Sequence, residues 1–253
     1  MSILSEIIAR KRERLETAKA AHPLDTLEVR PGSHRLLQAL RRDGVNIIAE
    51  FKRRSPSKGV IRADADLKQI VTSYKAGGAS AISVLTEEDY FSGSLDDLRL
   101  VKTTIDLPVL RKDFIFDEYQ VYESVAAGAD AMLLIVAALD DETLVRLRRL
   151  IEDLGMDALV EVHTREEMQR AVACGANLIG VNNRNLHTFE VSLETSISLA
   201  QDTNAILVSE SGLHSAADLA RLRAAGYRGF LIGETLMRSP DPEAALRELT
   251  GEQ

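Results

Sequence analysis

Glu50 and Lys52, Lys112, Glu161, Asn182 and Glu210 each stand where a short apolar run of the chain stops. Carboxylates and ammonium groups brought into one cavity are acids and bases within reach of one another, and an asparagine there bonds hydroxyl groups without titrating. Taking that many charges out of water is costly unless they pair or serve a ligand. Any one of them alone reads as a solvated or ion-paired strand end; together they read as a proton-transfer site. Two segments, Val208-Ser209-Glu210-Ser211-Gly212 and Leu231-Ile232-Gly233-Glu234, add small residues and glycine, and the second leads into a helix start near Glu234. Backbone N–H groups at such a place accept an anion. A sugar phosphate is the ligand they suggest.

Other polar residues carry weaker signals. His22, His34, His163, His187 and His214 are scattered, with no pair at metal-ligand spacing, so each is expected on the surface or in packing; His163 is the one near a strand end. Arg53-Arg54-Ser55-Pro56-Ser57-Lys58-Gly59 lacks the spaced glycines of a P-loop and is expected to be a mobile loop that can cover a ligand, with Lys52 and Ser55 at its hinge.

The elements that must position these groups follow from periodicity. Apolar runs suited to buried strands occur at Ile47–Phe51, Ala81–Leu85, Pro108–Arg111, Ala131–Ile135, Ala158–Val162, Leu178–Val181, Ala205–Ser209 and Gly229–Ile232. Between them lie helical patterns, such as Leu67, Ile70, Val71 and Tyr74, or Leu144, Leu147, Leu150, Ile151 and Leu154. Ala76-Gly-Gly-Ala79, Ala127-Gly-Ala129, Cys174-Gly-Ala176 and Ala225-Gly226 each end such a pattern just before an apolar run. Their glycines recur at roughly 50 residues, about two βα units of a barrel, and are expected to close helices. Alternating strands and helices fit a closed barrel or an open doubly wound sheet. Eight units in this length favour an α/β fold of the (β/α)₈ TIM-barrel type, whose active site lies at the carboxyl ends of the strands. Because side chains alternate along a strand, Glu50 and Lys52 then share one face.

Bulk properties narrow the function further. The chain has 253 residues and a formal charge of −8, which opposes binding to nucleic acid or an anionic membrane and favours a small-molecule partner. Its single cysteine, Cys174, excludes an internal disulfide and suggests a reduced, cytoplasmic protein. The basic run Arg10 to Arg14 is followed by no long apolar core, so neither a signal peptide nor a membrane anchor fits. Leu4, Ile7, Ile8 and Leu15 mark an amphipathic helix with a solvated basic side.

Six segments, in order, resemble the indole-3-glycerol phosphate synthase family: Ile48-Ala49-Glu50-Phe51-Lys52-Arg53-Arg54-Ser55-Pro56-Ser57, Pro108-Val109-Leu110-Arg111-Lys112-Asp113-Phe114, Leu159-Val160-Glu161-Val162-His163, Ile179-Gly180-Val181-Asn182-Asn183-Arg184-Asn185-Leu186, Val208-Ser209-Glu210-Ser211-Gly212 and Phe230-Leu231-Ile232-Gly233-Glu234. The resemblance implies a cofactor-free, metal-free lyase of tryptophan biosynthesis. It would convert 1-(2-carboxyphenylamino)-1-deoxyribulose 5-phosphate to indole-3-glycerol phosphate, carbon dioxide and water. It implies one TIM-barrel domain over 1–253, with 1–45 as a helical extension capping the mouth of a barrel at 46–253. Lys112 would be the general acid of ring closure, and Lys52 would hold the anthranilate carboxylate or the phosphate and share acid duty. Glu161 would be the acid/base of dehydration, with Glu50 its rival or orienting partner. Asn182 would bond substrate hydroxyls, and Glu210 would orient Lys112 or the sugar chain. Ser211, Gly212, Gly233 and the backbone at Glu234 would take the phosphate, supported by Ser55 and Arg184, while Phe114 and Leu231 would wall the aromatic ring. Charges so crowded predict mutually perturbed ionisation and a bell-shaped pH profile. A phosphoribosylanthranilate isomerase would share the barrel and phosphate site, but its family's cysteine near the first strand has no counterpart, since the sole cysteine is Cys174. A noncatalytic binder of phosphorylated metabolites would not need Lys112 and Glu161.

Overall fold

The computed structural model describes residues 3–186, 188–200, 203 and 205–251, so His187, among the histidines expected on the surface, lies outside the described residues, as do Met1, Ser2 and the last two residues. Eight parallel strands, β1 (Asn46–Phe51), β4 (Ala81–Leu85), β5 (Val109–Lys112), β6 (Ala131–Ile135), β7 (Asp157–Val162), β8 (Leu178–Asn182), β9 (Ile206–Glu210) and β10 (Gly229–Ile232), close into one barrel as β1 pairs with both β4 and β10. Each follows its expected run to within a residue or so; Pro108 falls outside because it has no N–H for the ladder. The stretch expected as a loop after β1 instead forms a small antiparallel hairpin, β2 (Arg54–Ser55) with β3 (Gly59–Val60). Arg53 anchors its base through a forked pair with Asp97, at 2.6 and 2.9 Å.

The helices that return the chain are α3 (Leu67–Ala76), α4 (Leu95–Thr104), α5 (Glu118–Ala126), α6 (Asp141–Asp153), α7 (Arg165–Ala173), α8 (Leu193–Leu199), α9 (Ala216–Ala224), α10 (Glu234–Arg238) and α11 (Pro242–Thr250). Asp66, Ser94, Asp117, Asp140, Thr164, Ser215 and Asp241 start seven of them by accepting a first-turn N–H on the side chain. Gly78, Gly128, Gly175 and Gly226 stop helices at φ between +82° and +102°, where a Cβ is strained, and this accounts for the repeated glycines.

Strand alternation divides the core. Ile47, Ala49, Phe51, Val109, Val160 and Ile179 face the helices, whereas Ile48, Leu110, Leu133, Leu159, Leu178, Val208 and Leu231 fill the barrel interior. Glu50, Lys112, Glu161 and Glu210 each follow an interior apolar residue by two positions, so one layer of oil supports one layer of charge.

The segment before β1 does more than cap the mouth. Ile3, Leu4 and Ile7 of α1 (Ile3–Ala21) line the cavity at the carboxyl ends of the strands, but α2 (Arg35–Leu40) sends buried Leu36 and Leu40 into the interior core at the opposite end, Leu40 lying near the start of β10. Nor is the basic side of α1 wholly solvated: Ile7, Lys11 and Leu15 are its buried residues. They recur every four positions on one helix face, and the Lys11 ammonium ends 2.6 Å from an oxygen of buried Asp113.

Candidate active site

A cavity of about 610 Å³ opens at the carboxyl ends of the strands, and every candidate site residue lines it, from Glu50 and Lys52 to Gly233 and Glu234. Lys112 is the hub of its charges. Its Nζ lies 3.0 Å from Glu161 Oε2 and 3.2 Å from Glu210 Oε2, while Lys52 Nζ lies 2.5 Å from Glu50 Oε1. Asn182 ends β8 at the same level, register-paired with Glu210. Its side-chain oxygen accepts the backbone N–H of Arg184.

These contacts separate the carboxylates by charge state. Burial lowers the Lys112 pKa, but the charges of Glu161, Glu210 and Glu50 outweigh it, leaving Lys112 above the usual lysine range. Burial raises Glu161, but Lys112 and His163 outweigh that and hold its carboxyl well below the usual range. Glu210 goes the other way: burial, with repulsion from Glu161 and Glu50, overcomes Lys112 and pushes it up to about 8. Near neutral pH the site therefore holds an ammonium, an ionised carboxylate and a neutral carboxyl within one hydrogen-bonding cluster. Environments that split titratable groups in this way assign acid and base.

Ser211, Gly212 and Gly233 line the cavity beside these charges. Ser211 and Gly212 follow β9 at φ +67° and +76°, and Gly233 precedes α10 with no side-chain cap. Asn183 holds this turn, donating from Nδ2 to the Ser211 carbonyl oxygen at 3.1 Å and to Ser209 Oγ at 3.0 Å. The Glu234 carboxylate pairs with Lys58 at 3.4 Å and with Arg238 at 3.1 Å. Lys58 thereby ties the hairpin to this part of the cavity. Arg184 donates to the Phe189 carbonyl oxygen at 3.2 Å, within its own loop. Phe114 packs on Phe91 with ring centroids 6.1 Å apart, and Leu231 faces the cavity from β10.

The sequence of the chain matches the indole-3-glycerol phosphate synthase family over residues 4–249. Relatives of that name share 47% identity over 251 residues in Bacteroides thetaiotaomicron, covering 97% of this chain and 96% of the relative, and 45% over 260 residues in Carboxydothermus hydrogenoformans, covering 97% and 98%. The chain belongs to the indole-3-glycerol phosphate synthase family. More distant solved structures share the barrel alone. A 3-hexulose-6-phosphate synthase from Salmonella typhimurium gives a TM-score of 0.65 at 12% identity, covering 82% of this chain and 97% of that one. An N-acetylmannosamine-6-phosphate 2-epimerase from Clostridium perfringens gives 0.62 at 16%, covering 86% and 96%.

In this member of the synthase family, several residues at the site went unassigned in the sequence. Leu133 and Ile135 line the cavity from β6, a strand with no polar end to mark it, and Ile3, Leu4 and Ile7 line it from α1. Gly180 matters for the space it leaves: a Cβ there would lie 2.2 Å from Glu210 Oε1, just as one at Gly233 would lie 2.5 Å from Glu50 Oε1. Both glycines face the interior, where strand alternation signals a missing side chain but not which carboxylate needs the room. Gly180→Ala is expected to push the Glu210 carboxyl off Lys112 and lower kcat by ~10²-fold, since a displacement of about 1 Å in a reacting array has that effect. Steady-state kinetics with a thermal melt check this; unchanged kcat in a folded variant would show that the Glu210 position is unimportant.

Proposed function

We propose specific roles for these side chains in closing, decarboxylating and dehydrating 1-(2-carboxyphenylamino)-1-deoxyribulose 5-phosphate to indole-3-glycerol phosphate. The observation that carries the reading is Lys112 Nζ placed 3.0 Å from Glu161 and 3.2 Å from Glu210, in a cavity that Ser211, Gly212 and Gly233 also line. As the ring carbon attacks the ribulose carbonyl, negative charge grows on the carbonyl oxygen, and Lys112 supplies its proton. Lys52, paired with Glu50 and half-buried, faces the substrate carboxylate until it departs as carbon dioxide and the ring recovers aromaticity. The new hydroxyl then leaves as water, taking a proton from an ammonium group, while Glu161 removes the proton from the neighbouring carbon.

The charge states support Glu161 as base in that step, with Glu50 orienting Lys52. Glu210, a neutral carboxyl near neutral pH, orients Lys112 and bonds the sugar chain with Asn182. Ser211, Gly212, Gly233 and the first N–H groups of α10 take the phosphate, and Ser55 of the hairpin and Arg184 border the substrate. Phe114, Leu231, Leu133 and Ile135 wall the aromatic ring. The 46–253 barrel and the 1–45 segment act as one unit, because α1 and α2 complete its two ends. We assign the chain to the cytoplasm, acting on a small molecule and not on nucleic acid; among the described residues no helix is long and apolar enough to cross a membrane.

Fluorescence-detected turnover of the carboxyphenylamino substrate, wild type beside Glu161→Gln, tests the roles. The amide keeps the shape but cannot accept the proton, so kcat is expected to fall by ~10²- to 10⁴-fold with KM little changed. A kcat within a few-fold of wild type removes Glu161 from the chemistry. Tight binding without turnover by the wild type would favour a binding protein instead.

A further inference from the structure

His163 follows Glu161 by two positions, just past the end of β7, and the roles above do not use it. Its side chain is 7% exposed. Nε2 lies 3.3 Å from Glu161 Oε1, the oxygen not taken by Lys112, without the geometry of a hydrogen bond, so a side-chain nitrogen stands beside each oxygen of Glu161. On the other edge of the ring, Nδ1 lies 3.1 Å from Glu167 Oε2, and the same oxygen accepts the His163 backbone N–H at 2.7 Å. Glu167 is itself placed by the first turn of α7, where its N–H donates to the capping Thr164 hydroxyl. The imidazole thus stands between two carboxylates, one in the reacting cluster and one fixed by a helix start.

The far side of the ring borders a second cavity of about 400 Å³, whose other charged groups are Arg184 and Glu190. Glu161, Glu167, Arg184 and Glu190, with Lys112 beyond Glu161, are the charges that set the state of the ring. Two carboxylates in contact outweigh the desolvation that disfavours an imidazolium.

We propose that His163 is a positioning residue for the reaction: an imidazolium backed by Glu167, it fixes the Glu161 carboxylate on Lys112 and keeps it ionised in a buried site shared with Glu50 and Glu210. The inference rests on the reading of Glu161 as the base. Burial lowers the His163 pKa, but Glu161 and Glu167 raise it to about 9, which agrees with a charged ring at neutral pH. A base acts only in its ionised form. Removing a cation from Glu161 raises its pKa, so activity is lost sooner as pH falls.

The first test is the pH profile of kcat/KM for His163→Gln, which retains a polar side chain but no charge. The acid limb is expected to move up by ~1–3 pH units, with the loss at high pH much smaller, because an adjacent opposite charge shifts a carboxyl by that amount. A uniform loss at every pH, with the limb in its wild-type place, would mean that His163 only holds the turn into α7, and would overturn the proposal. The second test needs no turnover: an NMR titration of histidine-labelled wild type, with the His163 signal identified by its absence from His163→Gln. The ring is expected to remain protonated through about pH 7, and Glu167→Gln to lower its titration point. A neutral His163 at that pH overturns the proposal even if the variant is inactive. Wild type that cannot turn over the carboxyphenylamino substrate would instead count against the assigned roles, while the titration would still report the charge.

Discussion

Replacing Lys112 with alanine is expected to lower kcat by ~10²- to 10⁴-fold, the contribution of a positioned general acid, with KM changed far less. The reason lies in what surrounds the ammonium. Its pKa is raised by Glu161, Glu210 and Glu50, so at neutral pH it holds the proton that its proposed role in ring closure requires. Glu210, 3.2 Å from it, is proposed to orient Lys112 and not to replace it as the acid. The phosphate and ring sites are proposed on other residues of the cavity, so binding should outlast turnover.

The variant should also lose thermal stability as pH rises from about 5 through 8 and beyond, where the wild type levels off. Burial raises the folded Glu210 pKa from 4.5 to about 8, so through that window the folded state holds a proton the unfolded state has lost. Stability therefore falls with rising pH, and without the Lys112 cation it falls further once Glu210 must ionise. Single-turnover kinetics and melts at two pH values separate the effects. A variant with kcat near that of wild type would exclude Lys112 as the acid.

Replacing Asp113 with alanine is expected to destabilise the fold by about 3–5 kcal/mol, as loss of one partner from a buried ion pair does. Asp113 is wholly buried, and its carboxylate accepts from Lys11 at 2.6 Å, Thr86 at 2.6 Å, and Arg111 at 2.9 Å. Burial would raise its pKa, but Lys11 and Arg111 outweigh that and hold it below the usual carboxylate range. Its removal leaves the Lys11 ammonium, 6% exposed, with the more distant Glu88 at 3.7 Å, and deprives the buried Arg111 guanidinium of one of its two carboxylates, leaving Glu123 at 2.9 Å. For a chain of this length the change corresponds to a fall in Tm of roughly 10 °C. Because Lys11 belongs to α1, proteolysis of the amino-terminal helix should accelerate in parallel. A melt within a degree or two of wild type would mean that the pair contributes nothing net.

Asp113 also shows where reading the chain stops. Arg111, Lys112 and Asp113 are three consecutive charges, and alternation places the outer two on one face and the middle one on the other. That much is local. That Lys112 faces the substrate cavity while Arg111 and Asp113 meet Lys11, Thr86 and Glu123 depends on residues up to 102 positions away. The same holds for α1: its apolar spacing announced a helix, but nothing local distinguished a solvated Lys11 from one buried against β5.

What the sequence by itself determined is the periodic part. Runs of apolar residues marked eight strands, glycines at a 50-residue rhythm marked helix ends, and polar residues two positions beyond interior apolar ones marked the cavity and nearly all its chemical groups. These are properties of neighbouring residues, set by strand alternation and helix pitch, so they are written locally. The tertiary structure alone decided which charges touch. It placed His163 on the free oxygen of Glu161, set Gly180 aside as space for Glu210, formed a hairpin from an expected loop, and split the amino-terminal segment between the two ends of the barrel. Closing the barrel brings strands distant in sequence to within hydrogen-bonding reach, and burial there gives each charge a state that depends on every other charge in the cavity. No window of sequence contains that sum.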